Sequence, residues 1–302
     1  MEILRKHKIG IICGGWSSER AISLKSGYYV YEALMQSEYN CELIDLDNER
    51  TAFSKETYNN IDIAFILVHG RGGEDGRLQN FFEKINLNFT GSDSKSSYIG
   101  MDKIQTKKIW KKEGINYPEF IEFNDNFEEI LKLNQKVVVK PANEGSSFGI
   151  SIIENNKAAL KNAINEAKKY DEKVLIENFI NGSELTVAIL DEKAFNPIEI
   201  IPNSDYYDFN AKYMSNQTIY REAKLSKEQK SYLQNQALHS FKTLGCSGWG
   251  RVDLIFNGED FYFLEVNTVP GMTETSLVPK AASFSGLAFT NLLEKILLKS
   301  IA

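Results

Sequence analysis

Along the first third of the chain, short apolar runs that stop at glycine or polar clusters alternate with longer stretches of helical period. Residues 8–13 are a β-branched apolar run ending at Gly14-Gly15, which predicts a buried strand. Apolar positions at helical spacing follow through Met35, and Ser17-Ser18 stand where they could cap that helix. Residues 41–47 and 61–68 predict two further strands and 76–85 a helix. Strands separated by helices imply a parallel sheet whose active loops lie at the carboxyl ends of its strands. This places a first domain at residues 1–95.

The middle of the chain, 96–180, opens with Met101-Asp102-Lys103 and a helix ending near Gly114. A strand at 137–140 stops at Pro141, and the loop Asn143-Glu144-Gly145-Ser146-Ser147-Phe148-Gly149 follows it. Residues 150–153 and 174–177 read as strands around a helix at 157–170. The remainder, 181–302, begins at the turn Asn181-Gly182 and a strand at 184–190. After it come a polar and aromatic stretch at 203–217, a helix at 227–244, a hairpin turning at Asn257-Gly258 and a last helix within 287–299. The fold class is α/β.

That hairpin holds the densest chemistry. Residues two apart on a strand share a face, so Glu265 and Asn267 aim together, as do Arg251 and Asp253. The two pairs share one side only if the connecting loop has an odd length. Hard oxygens of this kind suit Mg²⁺ completed by phosphate oxygens, and a guanidinium beside them suits developing negative charge. Gly271, after Pro270, can present its N–H to an oxyanion.

Composition narrows the classes. The 302 residues are 42% hydrophobic and 25% charged, ordinary for a soluble globular protein, and the net charge of −6 argues against a nucleic-acid surface. Cys13, Cys41 and Cys246 are scattered without C-x-x-C spacing, which opposes a disulfide framework or zinc site and fits a reducing cytoplasm. The apolar run after the basic start is too short for a signal segment, and the longest other run, 63–68, is far short of a membrane span. Lys107-Lys108 and Lys111-Lys112 read as the solvated face of a helix.

Several loops carry two readings each. The loop after Lys140 can wrap phosphates or be an exposed turn. Glu19 can bind an ammonium or complement a helix dipole. The loop from His69 to Gly76 can line a pocket, or Asp75 can simply cap the next helix. The stretch from Tyr206 to Tyr213 can cover a site on closure or pack on a core edge. Neither G-x-x-x-x-G-K-[ST] nor G-x-G-x-x-G occurs, which removes the P-loop and the dinucleotide fingerprint.

Taken in order, the stretches at 14–27 (GGWSSERAISLKSG), 69–78 (HGRGGEDGRL), 90–93 with 101–103, 140–149, 208–213, 248–253 and 265–279 (EVNTVPGMTETSLVP) are specific together. Over nearly its full length the chain resembles the D-alanine–D-alanine ligases of the ATP-grasp superfamily. The resemblance implies an N-terminal parallel-sheet domain, with ATP held between central and C-terminal domains. It implies that Asp253, Glu265 and Asn267 hold two Mg²⁺ (or Mn²⁺) ions, and that Lys103, Lys140, Ser147 and Lys212 serve the phosphates. Glu177, with backbone groups at Asn178 and Ile180, would recognise adenine, and Glu184 the ribose.

For the substrates, the resemblance assigns Glu19 to the ammonium of the first D-alanine, bonded to Ser146 and Tyr213, with His69 nearby. Arg251 and Gly271 form the oxyanion hole, and Ser276 with the Leu277 amide holds the second substrate's carboxylate. Two departures stand out. Tyr220-Arg-Glu-Ala follows the 203–217 stretch where the family often has proline, and Asn178 replaces a frequent lysine. The expected activity is ATP-dependent synthesis of D-alanyl-D-alanine for peptidoglycan by a cytoplasmic homodimer with no nucleic-acid or membrane partner. The alternatives are ligation of D-alanine to D-lactate or D-serine, which Tyr213 disfavours, and a non-catalytic nucleotide-binding regulator.

Overall fold

A computed structural model of the chain describes residues 2–202 and 217–301. The chain begins with β1 (Ile9–Gly14), α1 (Arg20–Gln36), β2 (Cys41–Leu46), α2 (Glu49–Ala52), β3 (Ile63–Ile66), α3 (Arg77–Ile85) and β4 (Asn88–Phe89). The four strands pair in the order β2-β1-β3-β4, all parallel, as the alternation of strands and helices predicts. Central β1 and β3 are buried at every position, which is why their sequences are continuous apolar runs rather than alternating ones.

Helices α4 (Ser94–Met101) and α5 (Lys103–Lys112) lead into a second sheet. It is built from β5 (Phe120–Glu122), α6 (Phe127–Ile130), β6 (Lys136–Pro141), β7 (Ser151–Glu154), α7 (Lys157–Ala167) and β8 (Val174–Asn178). The order is β5-β8-β6-β7, antiparallel throughout. Leu160, Ala163 and Ile164 of α7 bury against Val137, Val139 and Ile176, while Ile104 of α5 packs with Leu175 and Ala142. Helix α5 therefore backs this sheet.

The third sheet contains β9 (Ser183–Leu190), β10 (Lys193–Ala194), β11 (Ile198–Ile201), β12 (Ile219–Glu222), β13 (Trp249–Phe256) and β14 (Phe261–Asn267). Its order is β12-β11-β9-β13-β14, with β10 on β9. Leu233, Ala237 and Phe241 of α8 (Lys227–Lys242) cover it, joining Val187, Val252 and Leu254 in one apolar cluster. Ser226 and Gln229 form a reciprocal capping box at the start of α8.

The chain ends with α9 (Leu277–Phe284) and α10 (Phe289–Lys299). Leu292, Leu293, Ile296 and Leu297 return to the core built around β1 and β3. Tyr39 Oη donates to Glu294 at 2.6 Å across this contact. No helix among the described residues is long and apolar enough to cross a membrane.

Two expectations are corrected. Ser17 and Ser18 do not cap α1: its N-cap is Glu19, and Ser17 Oγ instead donates to the His69 carbonyl at 2.8 Å. Lys107 is not on a solvated face. It is 0% exposed, because it lies one turn from Lys103 on the side of α5 that carries Ile104, Thr106 and Trp110 inward.

Candidate active site

The register of β13 against β14 decides the metal-type cluster. Arg251 lies opposite Asn267 and Asp253 opposite Glu265, so all four side chains share a face. Yet Phe256 pairs with Phe261 across an even loop of four residues, 257–260, which alone would send Asp253 and Glu265 to opposite faces. The pairing shifts between Asp253 and Leu254, with Leu254 opposite Phe263, so Leu264 is passed over as a bulge residue. This bulge restores the parity.

Asp253 is tightly held. Arg251 grips it through Nε at 2.8 Å and an η-nitrogen at 2.7 Å. Asn267 Nδ2 donates to it at 3.0 Å and Thr186 Oγ1 at 2.6 Å. Glu265 pairs with Lys103 at 3.1 Å, and Lys103 also donates to the Glu144 carbonyl at 2.8 Å. Burial alone would depress Lys103, but Glu265, Glu74 and Glu144 outweigh it and hold the ammonium above its ordinary value.

Among the described residues no three His, Cys, Asp or Glu side chains gather into a metal-holding cluster. Two carboxylates and an amide leave coordination places for phosphate oxygens, so this donor set fits Mg²⁺ or Mn²⁺ bound together with a nucleotide.

A cavity opens between the second and third sheets. Its walls include Val138, Ile152, Phe179, Ile255 and Leu264, apolar surfaces suited to a flat base, together with Lys140, Ser147, Glu177, Asn178, Ile180, Glu184, Asp253 and Glu265. Glu177 is 2% exposed, with Lys140 on one oxygen and Lys107 at 3.1 Å from the other. Burial alone would raise its carboxyl; Lys107 and then Lys140 reverse that and hold it below the usual range. Asn178 offers less than expected: its N–H is taken by the Glu119 carbonyl at 2.9 Å and its Oδ1 by the Asn134 N–H at 2.8 Å.

The loop after β6 turns through two successive left-handed residues that are not glycine, Ser146 at φ 50° and Ser147 at φ 63°. Such backbone is costly and clusters where a ligand is gripped. Ser146 Oγ donates to Glu19, joining this loop to the start of α1. Both residues line a second cavity, with His69, Glu74, Arg251, Glu265, Gly271, Ser276 and Leu277. A Cβ at Gly271 would lie 2.8 Å from Ser276 Oγ and would displace that hydroxyl. Ser276 is the N-cap of α9, and its Oγ accepts from the Thr273 N–H at 2.9 Å.

His69 and Glu74 fasten the loop after β3 to the segment leading to Gly271. The His69 ring lies 2.8 Å from the Val269 carbonyl and 3.1 Å from Ser26 Oγ, and burial depresses its pKa, leaving a neutral imidazole. Glu74 accepts from the Gly70 N–H at 2.8 Å and the Val269 N–H at 3.3 Å. Asp75 does serve the helix start, accepting from the Arg77 N–H at 3.1 Å. Lys212, Tyr213 and the 208–213 stretch lie outside the described residues.

Sequence reasoning missed Glu74, Glu144, Thr186 and Lys107 as members of these sites. A signal existed for the last. Lys103 stands in the first turn of α5, against the helix dipole, and Lys107 is four residues on, hence on the same face.

The model for the C-terminus of D-ala D-ala ligase matches residues 109–298, and the model for the N-terminus of D-ala D-ala ligase matches 49–92. The D-alanine–D-alanine ligase of Alcanivorax borkumensis is 42% identical over 299 residues, covering 98% of this chain and 95% of that protein. The crystal structure of D-alanine–D-alanine ligase from Bacillus anthracis superimposes with a TM-score of 0.88 at 36% identity, covering 97% of each chain. The same enzyme complexed with ATP gives 0.86 at 36% identity, covering 97% and 96%. Matching models in both halves, with identity of this size across nearly the whole length, make the chain a member of the D-alanine–D-alanine ligase family.

Proposed function

We propose that the chain uses ATP to join two D-alanine molecules into D-alanyl-D-alanine for peptidoglycan, in the cytoplasm and as a homodimer. The observation that carries this reading is that the two cavities meet at Glu265, which lines both. One cavity has apolar walls with Lys140 and Ser147 of the strained serine loop. The other has a carboxylate, a guanidinium and a helix start. A phosphoryl group leaving the first cavity would meet a carboxylate bound in the second.

In this reading Lys103, Lys140, Lys212 and Ser147 orient the phosphates, Glu177 and Ile180 the base, and Glu184 the ribose. Glu19, braced by Ser146, takes the ammonium of the first D-alanine. Its carboxylate oxygen attacks the γ-phosphorus, giving an acyl phosphate and ADP. The amine of the second D-alanine, once deprotonated, attacks the carbonyl carbon, and phosphate leaves with the C–O bond electrons. Arg251 and the Gly271 N–H face the oxyanion, while Ser276 and the Leu277 N–H at the start of α9 hold the second carboxylate. The family resemblance is what assigns Tyr213 to the Glu19–Ser146 network. Asp253, Glu265 and Asn267 would hold two Mg²⁺ or Mn²⁺ ions, which supply charge neutralisation on the transferring phosphoryl group.

The test is phosphate release with D-alanine, D-lactate or D-serine offered as second substrate. D-Alanyl-D-alanine is the expected main product. Glu265→Gln keeps shape but removes charge, so kcat should fall at least about a hundredfold, or ~2.7 kcal/mol, with circular dichroism retained. Near-normal turnover by that variant at saturating Mg²⁺ would defeat the assignment.

A further inference from the structure

Lys103 and Lys107 sit one turn apart on α5 and serve different sheets: Lys103 meets Glu265 on β14, whereas Lys107 meets Glu177 on β8. The chemistry proposed above uses Lys103 and leaves Lys107 without a role. Its ammonium lies behind Glu177, 5.4 Å from the Tyr117 ring centre and 6.0 Å from that of Phe120. Lys107 Nζ lies 3.1 Å from Glu177 Oε2 and forms a buried ion pair with it, while Lys140 holds the other oxygen. Glu177 stands on the wall of the inter-sheet cavity, and a carboxylate there can accept a donor from a ligand.

We propose that Lys107 is a positioning residue for nucleobase choice: it holds Glu177 as a carboxylate that accepts the amino group of a 6-amino purine and repels a 6-oxo purine. This rests on reading the inter-sheet cavity as the ATP site. A carboxylate can only accept hydrogen bonds, whereas the neutral acid could donate to a 6-oxo group and lose the distinction. Lys140 lines the cavity and is assigned to the phosphates in the reading above, whereas Lys107 lies outside the cavity lining. Of the two lysines, Lys107 has the larger charge–charge effect on Glu177 and Lys140 the stronger hydrogen bond.

The experiment compares ATP with inosine triphosphate in the full chain, using wild type, Lys107→Met, Glu177→Gln and the double variant. Wild type should prefer ATP by at least about a hundredfold in kcat/KM, because its buried acceptor rejects a base lacking the donor. Lys107→Met should raise the ATP KM about tenfold or more and shrink the preference about tenfold, with kcat falling less than about threefold. Lys107→Arg should recover much of the preference. The double variant should match Glu177→Gln within about twofold, since Lys107 acts only through that carboxylate.

An ATP preference and KM left intact in Lys107→Met would overturn the proposal. So would a double variant about tenfold worse than Glu177→Gln, which would mark Lys107 as packing alone. That last comparison decides the matter even if the single variant does not fold. A wild type indifferent to the base would refute the adenine reading of Glu177 itself, and with it the proposal, before any variant is measured.

Discussion

The environment of Glu74 strongly alters its chemistry. It is 9% exposed, and burial followed by the neighbouring Glu19 pushes its carboxyl up to about 8 from 4.5. The native state therefore holds an extra proton between those values. Its contribution to stability is complete below about 4.5 and is lost as pH rises through about 8. His69 and Lys107, the latter depressed by burial to about 8, both act in the opposite sense, so the Glu74 contribution is read as the difference between wild type and Glu74→Gln from about pH 6.5 to 8.5. Over that window the Tm of wild type should fall relative to Glu74→Gln. Parallel curves would mean that Glu74 does not titrate there. The motif at 69–76 was visible as a loop, but not this proton, because the carboxyl is shifted by groups distant in sequence.

At the scale of elements, α5 connects the two sheets around the nucleotide cavity, and its start depends on Asp102. That carboxylate accepts from the Ile104 and Gln105 N–H groups, both at 3.0 Å, and pairs with Lys173 at 2.8 Å. Asp102→Ala removes an N-cap worth about 1–2 kcal/mol and loosens the first turn that carries Lys103 and Lys107. Urea unfolding should show that loss, and kinetics should show a lower kcat together with a higher ATP KM. A stability loss with both kinetic constants unchanged would show that neither lysine depends on the turn. The strand and helix types were legible throughout, since buried parallel strands and amphipathic helices carry different periods. Helix α9 was anticipated only through the family resemblance, as a helix start at Ser276 and Leu277; the usual capping signal is missing, since the Ser276 side chain bonds Thr273 rather than the helix.

For the whole molecule, the inter-sheet cavity has one wall on β6 and β8 and the other on β9, β13 and β14. A ligand there ties two sheets that have separate apolar clusters. ATP with Mg²⁺ at about a hundred times its Kd should add about 2.7 kcal/mol of stability, visible as a rise of several degrees in Tm. Glu265→Gln should lose most of that shift while keeping the Tm of the free protein. An equal shift in the variant would show that nucleotide binds without engaging the hairpin face.

By itself, the sequence determined the fold class, the family and most residue types at the site, because apolar periodicity and ordered short motifs are local properties. Tertiary structure decided what depends on register and burial. The even hairpin loop would have separated Asp253 from Glu265, and only the bulge at Leu264 reunited them. Lys107 looked like one more surface lysine until packing of α5 beneath β8 gave it a carboxylate to face. Both outcomes depend on which chain segments lie opposite one another, and that is set by the packing of the core, which no local pattern records.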